Sequence, residues 1–284
     1  MQALHSGGYQ TITCAQMADY LSGVRDIPPK SVLLSFDDGR ADFLTGAAPV
    51  LGKLGFKAVL FVITGSVGAK GNLSWEDLQG LMQAGHEIGS HTATHLNLTR
   101  LGKGQSLVQL QERVRREIET SGQTLEEKLG QPAVGLAYPY GNYDEFAMRV
   151  AREAGFRVAF SIDPGVVDRQ SHPYRLPRKM VVKGSSLKTL QRLQETEALH
   201  LSEIQPPVGE RVSGTAYRLT ARVTDPDAVA GVQVEAGRQT KVTIDRETSQ
   251  LTVTSTLRRG ANLVRVFAPG PPRRECGWVV VCDP

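Results

Sequence analysis

Apolar positions follow two textures along this chain. Through about residue 200, short continuous apolar runs alternate with amphipathic stretches. Residues 31–36 (SVLLSF) and 58–63 (AVLFVI) are unbroken apolar runs, the pattern of strands covered on both faces. Between them, 43–54 carries apolar residues at helical spacing and stops at Gly55. Ser74-Trp75-Glu76-Asp77 has the form of a capping box, opening a helix that runs to Ala84 and closes at Gly85. The longest helical pattern is Leu107–Leu129, with Gly122 as a weak point, and 146–154 is a further helix ending before Gly155. Residues 87–89, 158–162 and 179–182 predict further strands, and the first five residues form the end of a helix that stops at Gly7-Gly8. Strand and helix in alternation predict a parallel α/β core, as an open sheet or a barrel.

The texture changes near Gln205-Pro206-Pro207. Segments 218–223, 232–235, 241–244, 251–256, 263–267 and 278–281 are short and β-branched, separated by Gly, Pro, Asp and Asn. They predict a small antiparallel sandwich. The expected division is therefore residues 1–201 and 208–284, joined near 202–210, with no internal repeat. Tyr217 and Trp278 are expected to pack in the sandwich core rather than to stack on a sugar.

Composition narrows the class only slightly. A 40% hydrophobic share and a 22% charged share are ordinary for a globular chain. The net charge of +4 comes from dispersed Lys and Arg, with no basic run interleaved with aromatics, which argues against nucleic acid as a partner. No apolar run is long enough to span a membrane, no signal peptide is visible, and the chain opens in mid-element. Of the three cysteines, Cys276 and Cys282 pair only if two strand segments bring them together; two small buried thiols are the plainer expectation.

Two places carry the candidate chemistry. Ser35-Phe36-Asp37-Asp38-Gly39 ends a strand with two carboxylates, and Ser90-His91-Thr92-Ala93-Thr94-His95 places two imidazoles after another strand. Adjacent strand residues point to opposite faces, so both acids reach one site only if the strand breaks, which Gly39 permits. The four-residue histidine spacing suits one helical turn. Two imidazoles and one carboxylate can hold a divalent cation with an open position, leaving the second carboxylate free to move a proton. Zinc suits that donor set, and cobalt, nickel or iron would fit the same ligands. Ala137-Tyr138-Pro139-Tyr140-Gly141 is a third element, a loop able to offer a backbone N–H to an oxyanion. His86 and Glu87 are expected to be structural.

SFDDG, SHTATH and AYPYG, in this order, closely resemble the leading motifs of the polysaccharide deacetylases of carbohydrate esterase family four. The stretches LGFKAVLFVITG, SWEDLQGLMQAGHEIGSH and AREAGFRVAF followed by LPR fit as well, so the resemblance spans roughly residues 1–195. YPYG and LPR look most like the branch acting on poly-β-1,6-N-acetylglucosamine, a biofilm exopolysaccharide. The resemblance implies a distorted (β/α) barrel followed by an immunoglobulin- or fibronectin-like module. It implies Asp37 as base, Asp38, His91 and His95 as metal ligands, and Tyr140 as the oxyanion N–H donor. Tyr138, Pro139 and Tyr140 would line the substrate groove. The substrate would be an N-acetylated polysaccharide, with chitin, peptidoglycan or xylan as alternatives, and the setting secreted or at the cell surface, near polymer export. A carbohydrate-binding protein with weak activity is the rival reading.

Two departures from the family pattern stand out. Ala137 occupies the position where many members carry an arginine that pairs with the base, and Arg178 is the candidate substitute. The general acid, a late histidine in many members and an early Tyr-His segment in the exopolysaccharide branch, has no clear counterpart. The chain begins after the place for such a segment. His200 is the one late candidate, expected on a polar helix outside the groove, while His5 and His172 are expected to be solvated.

Overall fold

A computed structural model describes residues 1–182 and 184–283. Its first part interleaves helices α1 (Gln2–Ser6), α2 (Cys14–Leu21), α3 (Asp42–Thr45), α4 (Ala47–Lys53), α5 (Trp75–Gln83), α6 (Leu107–Leu129) and α7 (Glu145–Glu153) with seven strands. These are β1 (Gln10–Thr11), β2 (Ser31–Val32), β3 (Ser35–Asp38), β4 (Val59–Val62), β5 (Glu87–Ser90), β6 (Gly135–Ala137) and β7 (Val158–Phe160). Strands β3 to β7 form one parallel sheet in sequence order, and β1 and β2 pair separately. Helix starts obey their capping chemistry: Ser74 with Asp77 opens α5, and Ser106 with Gln109 opens α6. Along α6, Leu110, Val114, Ile118, Ser121 and Leu125 recur every three or four residues and form its buried face.

The parallel sheet curls. In β4, Val59 and Phe61 pack with Phe160 and Leu176, while the alternate residues Leu60 and Val62 pack with Phe43, Leu51 and Leu78. Leu176 bridges Phe160 in parallel beyond β7. Two residues later Arg178 donates to Ser35 Oγ (3.0 Å) and to Asp37 on β3, the opposite end of the strand order. Only a strongly curved sheet brings its first and last members this close. Gly89 leaves room for the Phe61 side chain of the neighbouring strand, because a Cβ there would sit 2.5 Å from the Phe61 ring.

Several sequence expectations change. The run 31–36 is split between two sheets, and β3 is only half buried because its interior face lines an open site. The helix expected over 43–54 breaks at Gly46 into α3 and α4. No strand forms at 179–182; Met180, Val181 and Val182 lie exposed, so their apolar character marks no buried partner. His91 to His95 is an irregular turn, not a helical one.

After α8 (Leu187–Gln194) come β8 (Thr196–Ala198), β9 (Leu201–Gln205), β10 (Arg211–Ser213), β11 (Ala216–Val223), β12 (Gln233–Glu235), β13 (Arg238–Asp245), β14 (Gln250–Thr256), β15 (Gly260–Ala268) and β16 (Arg273–Asp283). They make a four-stranded sheet, β13-β14-β11-β9, and a five-stranded one built on β10-β16-β15-β12 with β8 also on β16. Pairing is mostly antiparallel, but β8 and β10 both run parallel to β16. Strand pairing thus starts at Thr196, upstream of residues 202–210. Tyr217 and Trp278 are buried in the core of this part, as expected. Cys276 and Cys282 both lie on β16, six residues and roughly 20 Å apart along an extended strand, so they cannot bond to each other.

β16 is buried on both faces. Trp278, Val280 and Cys282 point into the core between the two sheets, whereas Val279 and Val281 join Leu110, Val114, Tyr143 and Met148 against α6 and α7. An ion-pair network reinforces this seam. Arg211 on β10 holds Asp283 (2.5 Å), Asp144 (2.9 Å) and the Thr99 carbonyl (3.1 Å), while Asp144 also caps α7 through the Ala147 N–H. Burial pushes the Asp144 carboxyl up, more than these bonds pull it down. Arg211→Ala should therefore leave a buried acid without its partner and cost about 3 kcal/mol. Urea unfolding at neutral pH measures this; a midpoint equal to that of the unaltered chain would show the network to be dispensable.

Candidate metal centre

The site lies at the carboxyl ends of β3 and β5, where parallel α/β sheets leave room for ligands. Asp37 pairs in register with Phe61, Asp38 with Val62, and Val62 with Ser90. The His91 N–H continues this ladder, donating to the Val62 carbonyl at 2.8 Å. Asp37 follows the strand alternation and faces the interior. Asp38 leaves it through a left-handed backbone (φ 73), so the break falls on Asp38 itself as well as on Gly39 (φ 71). Both acids consequently reach one place.

Asp38, His91 and His95 converge. His91 Nε2 is 3.7 Å and His95 Nε2 is 3.8 Å from Asp38 Oδ1. Ligand atoms about 2.1 Å from a tetrahedral ion lie about 3.4 Å from one another, so these spacings suit a shared cation. The imidazole chemistry fits too. His91 Nδ1 is 2.7 Å from the Ala137 carbonyl, which can only accept, so Nδ1 carries the proton and the Nε2 lone pair faces the acids. Burial pushes the His91 ring below its ordinary value, more than Asp37 raises it, and favours the neutral, ligating form. The three side chains therefore suit a divalent metal.

Asp37 stands beside this trio, its Oδ2 3.9 Å from His91 Nε2. Arg178 grips it with two parallel bonds, Nη1 to Oδ1 (2.7 Å) and Nη2 to Oδ2 (2.9 Å), and also donates from Nε to the Ser161 carbonyl (3.2 Å). Burial raises the Asp37 carboxyl, but the Arg178 guanidinium outweighs it, and the net value falls below the ordinary carboxylate range. The guanidinium expected next to the base in the Ala137 position arrives instead from beyond β7. Ala137 is fully buried, and its carbonyl orients His91.

The Tyr138–Gly141 loop divides its residues sharply. Tyr140 is 58% exposed, adopts a left-handed backbone (φ 59) and sets its ring edge-on against His95 at 4.6 Å. Tyr138 and Pro139 are buried; Tyr138 stacks on Tyr143 and donates to the Tyr174 carbonyl. Substrate contact by the Tyr138 and Pro139 side chains does not fit that burial, which corrects the expectation for both.

The other histidines are occupied elsewhere. His86 accepts from the Ala58 N–H, and Glu87 accepts from the Cys14 N–H, both structural as expected. His5 packs on Phe56, and His172 accepts from the Tyr174 N–H. His200 lies between β8 and β9, not on a helix, because the chain has already turned into strand pairing at Thr196. Its Nε2 meets Asp168 at 2.6 Å and its Nδ1 meets Asp225 at 3.2 Å. Burial alone would lower its value, but the two carboxylates raise it on balance.

Sequence reasoning missed what holds the histidine turn. Thr92 (φ 65) and His95 (φ 63) are left-handed, a backbone that costs about 1 kcal/mol or more per residue. Ser90 Oγ accepts from the Thr92 N–H, Thr92 Oγ accepts from the His95 N–H, and Glu117 on α6 accepts from Thr94. Nothing distinguishes Glu117 in the sequence from the other acids of a long polar helix.

Comparison with known proteins agrees with this geometry. The sequence profile of the family "Polysaccharide deacetylase" matches residues 25–159, a span containing Asp37, Asp38, His91, His95 and Tyr140. YxkH of Bacillus subtilis, whose name assigns it provisionally to the polysaccharide deacetylases, is 33% identical over 186 residues, covering 66% of this chain and 64% of that protein. A poly-β-1,6-N-acetyl-D-glucosamine N-deacetylase of Staphylococcus aureus is 27% identical over 160 residues, 54% of this chain and 55% of that enzyme. The chain thus spans less than two thirds of either relative's length. The solved structure of the Streptococcus pyogenes deacetylase PplD in complex with acetate superposes with a TM-score of 0.61 at 25% identity, over 68% of this chain and 82% of PplD. On the matched motifs, the curled parallel sheet and the converging ligands together, residues 25–159 form a polysaccharide deacetylase domain.

Proposed function

We propose that this protein is a metal-dependent hydrolase that removes N-acetyl groups from a polysaccharide, with poly-β-1,6-N-acetylglucosamine as the preferred substrate. The observation that carries this reading is the convergence of Asp38, His91 and His95 beside an arginine-held Asp37. The substrate rests on the similarity to the staphylococcal enzyme and on the YPYG and LPR segments. In the proposed division, residues 1–201, folded as a distorted barrel, perform the chemistry. Residues 208–284, as an immunoglobulin-like sandwich, buttress it. Because the substrate is an extracellular polymer, the proposed setting is secreted or at the cell surface, near polymer export. No helix among the described residues is long and apolar enough to cross a membrane.

A divalent cation held by Asp38, His91 and His95, zinc before cobalt, nickel or iron, would polarise the acetamide carbonyl and lower the pKa of water. Asp37, kept ionised by Arg178, takes the proton of the attacking water. The Tyr140 N–H donates to the oxyanion that forms on the acetamide oxygen as water adds to its carbon. Collapse of that intermediate breaks the C–N bond, releasing acetate and the amine, which takes up the proton the water gave up. Arg178 fixes the direction of the Asp37 carboxylate, so the proton is received along one defined path.

A second reading is favoured by one observation. Outside the centre, His5, His86, His172 and His200 contact Phe56, Ala58, Tyr174 and the pair Asp168 and Asp225, none of them a residue of the site. A carbohydrate-binding protein with weak turnover would look the same. Acetate release from β-1,6-linked N-acetylglucosamine oligomers, compared with chitin, peptidoglycan and acetylated xylan and repeated with a chelator, separates the two. No chelator-sensitive release from any of them would leave the binding reading.

Division of labour between the carboxylates gives one prediction. Asp37→Asn should keep its metal while turnover falls about 10²–10⁴-fold, the usual worth of a general base. Asp38→Asn should lose both metal and activity. Elemental analysis beside an acetate assay checks this, and the opposite pattern would reverse the two roles.

Arg178 gives the other. Replacing it with Met removes the charge that outweighs the burial of Asp37, so the carboxyl should titrate at a higher pH. A base must be deprotonated to work, so the acid limb of the pH–rate profile should move upward. An unmoved limb would show that Asp37 is not the group being titrated.

A further inference from the structure

We infer that Glu117, in the middle of α6, is a positioning residue for the metal centre: it fastens the turn that carries His95 to the longest helix of the fold. The inference rests on the metal reading proposed above. Its carboxylate accepts twice from Thr94, from the backbone N–H at 2.8 Å and from Oγ at 2.6 Å. The Glu117 main-chain carbonyl accepts a third bond, from the Ala93 N–H at 3.2 Å. All three reach the segment between the two histidines.

The two histidines are supported differently. His91 directly follows β5, bonds to the β4 backbone, and has its ring tied to the Ala137 carbonyl. It would stay in place without help. His95 lies four residues farther along, on a turn whose backbone passes twice through the left-handed region. Its backbone N–H bonds locally, to Thr92 Oγ, and its ring leans on His91 and Tyr140. The turn is also tied at Thr92 and Ala93, whose carbonyls accept from Thr64 and Gly65. The residue immediately before His95 is held by Glu117.

α6 is suited to act as the anchor. Four residues after Glu117, Ser121 lies 2.6 Å from Ser90 through their hydroxyls, so the same face of the helix also fixes the end of β5. An ionised carboxylate accepting two short bonds is a strong hold on one residue, stronger than neutral partners would give. Glu117 is not among the converging ligand atoms, so it acts on the metal only through the loop.

Loss of a group that orients a metal ligand commonly weakens binding by about 10–100-fold. Glu117→Ala in the full chain should weaken Zn²⁺ binding by that factor, read by competition with a chromophoric chelator, while the metal-free melting temperature changes little. Glu117→Gln keeps one acceptor for the Thr94 N–H and should recover part of the affinity. Thr94→Val removes only the hydroxyl donor and should give a smaller loss. In a His95→Ala background, Glu117→Ala should add almost nothing, because both changes remove the same ligand.

Full Zn²⁺ affinity in Glu117→Ala would overturn the inference. So would an undiminished further loss in the His95→Ala background, which would mark a general structural role. If Glu117→Ala fails to fold, unchanged affinity in both Glu117→Gln and Thr94→Val would overturn it equally. Failure of the metal reading is distinguishable: His91→Ala and His95→Ala would then bind Zn²⁺ as well as the unaltered chain.

Discussion

The bond between Arg178 and Asp37 is the constraint on which the rest of the site depends. It links the segment beyond β7 to β3, the two ends of the strand order, and so registers the closure of the curled sheet. The same two bonds hold an inward-facing carboxylate in its ionised form against the cost of burial. A planar guanidinium suits this role because its fork meets both carboxylate oxygens at once, which a lysine cannot do. Its Nε reaches the Ser161 carbonyl, its Nη1 also reaches Ser35 Oγ, and its face lies over the Phe61 ring, so it has little freedom to turn away. Closure of the fold and readiness of the proposed base are thus one interaction.

Around that bond, the site concentrates unfavourable backbone. Asp38, Thr92, His95 and Tyr140 are all left-handed without being glycine. Such conformations persist where the surroundings hold them, and they tend to gather at functional sites. Here each has a use. Asp38 turns a second carboxylate toward the place where Asp37 already points. Thr92 and His95 bend the chain so that both imidazoles face one carboxylate oxygen. Tyr140 swings an aromatic ring to the surface beside His95. The support comes from α6 through Glu117 and from the strand ends through Ser90 and Val62.

The β-rich part is more closely joined to this scaffold than a tethered module would be. Alternation along β16 sends Trp278, Val280 and Cys282 one way and Val279 and Val281 the other, so one strand belongs to two cores. Arg211 ties the same seam to the first turn of α7 through Asp144. α7 in turn packs on α6, and α6 carries Glu117. Stability of the distal sheets is therefore connected, by packed side chains, to the helix that supports the metal turn.

Much of this was legible in the residues alone. The capping box at Ser74, the helical pattern of α6 and the run over β4 are local signals, set by hydrogen bonding and side-chain direction within a few residues. The acid pair, the histidine pair and the aromatic loop were visible because each falls within a few residues of sequence at a strand end. Where the sequence misled, the cause was nonlocal. Residues 179–182 look like a strand but meet no sheet, and 31–36 looks continuous but serves two. The histidine turn reads as helical by spacing, yet bonds from Ser90, Thr64, Gly65 and Glu117 hold it in another shape. Tyr138 and Tyr140 are near-neighbours of the same type; packing against Tyr143 buries one, and a left-handed turn exposes the other. Sequence by itself determined which groups are available and which elements form where the signals are local, as at β4, α5 and α6. Tertiary structure alone decided which of them meet, because Arg178 and Asp37 lie 141 positions apart and only the curvature of the sheet brings them within bonding distance.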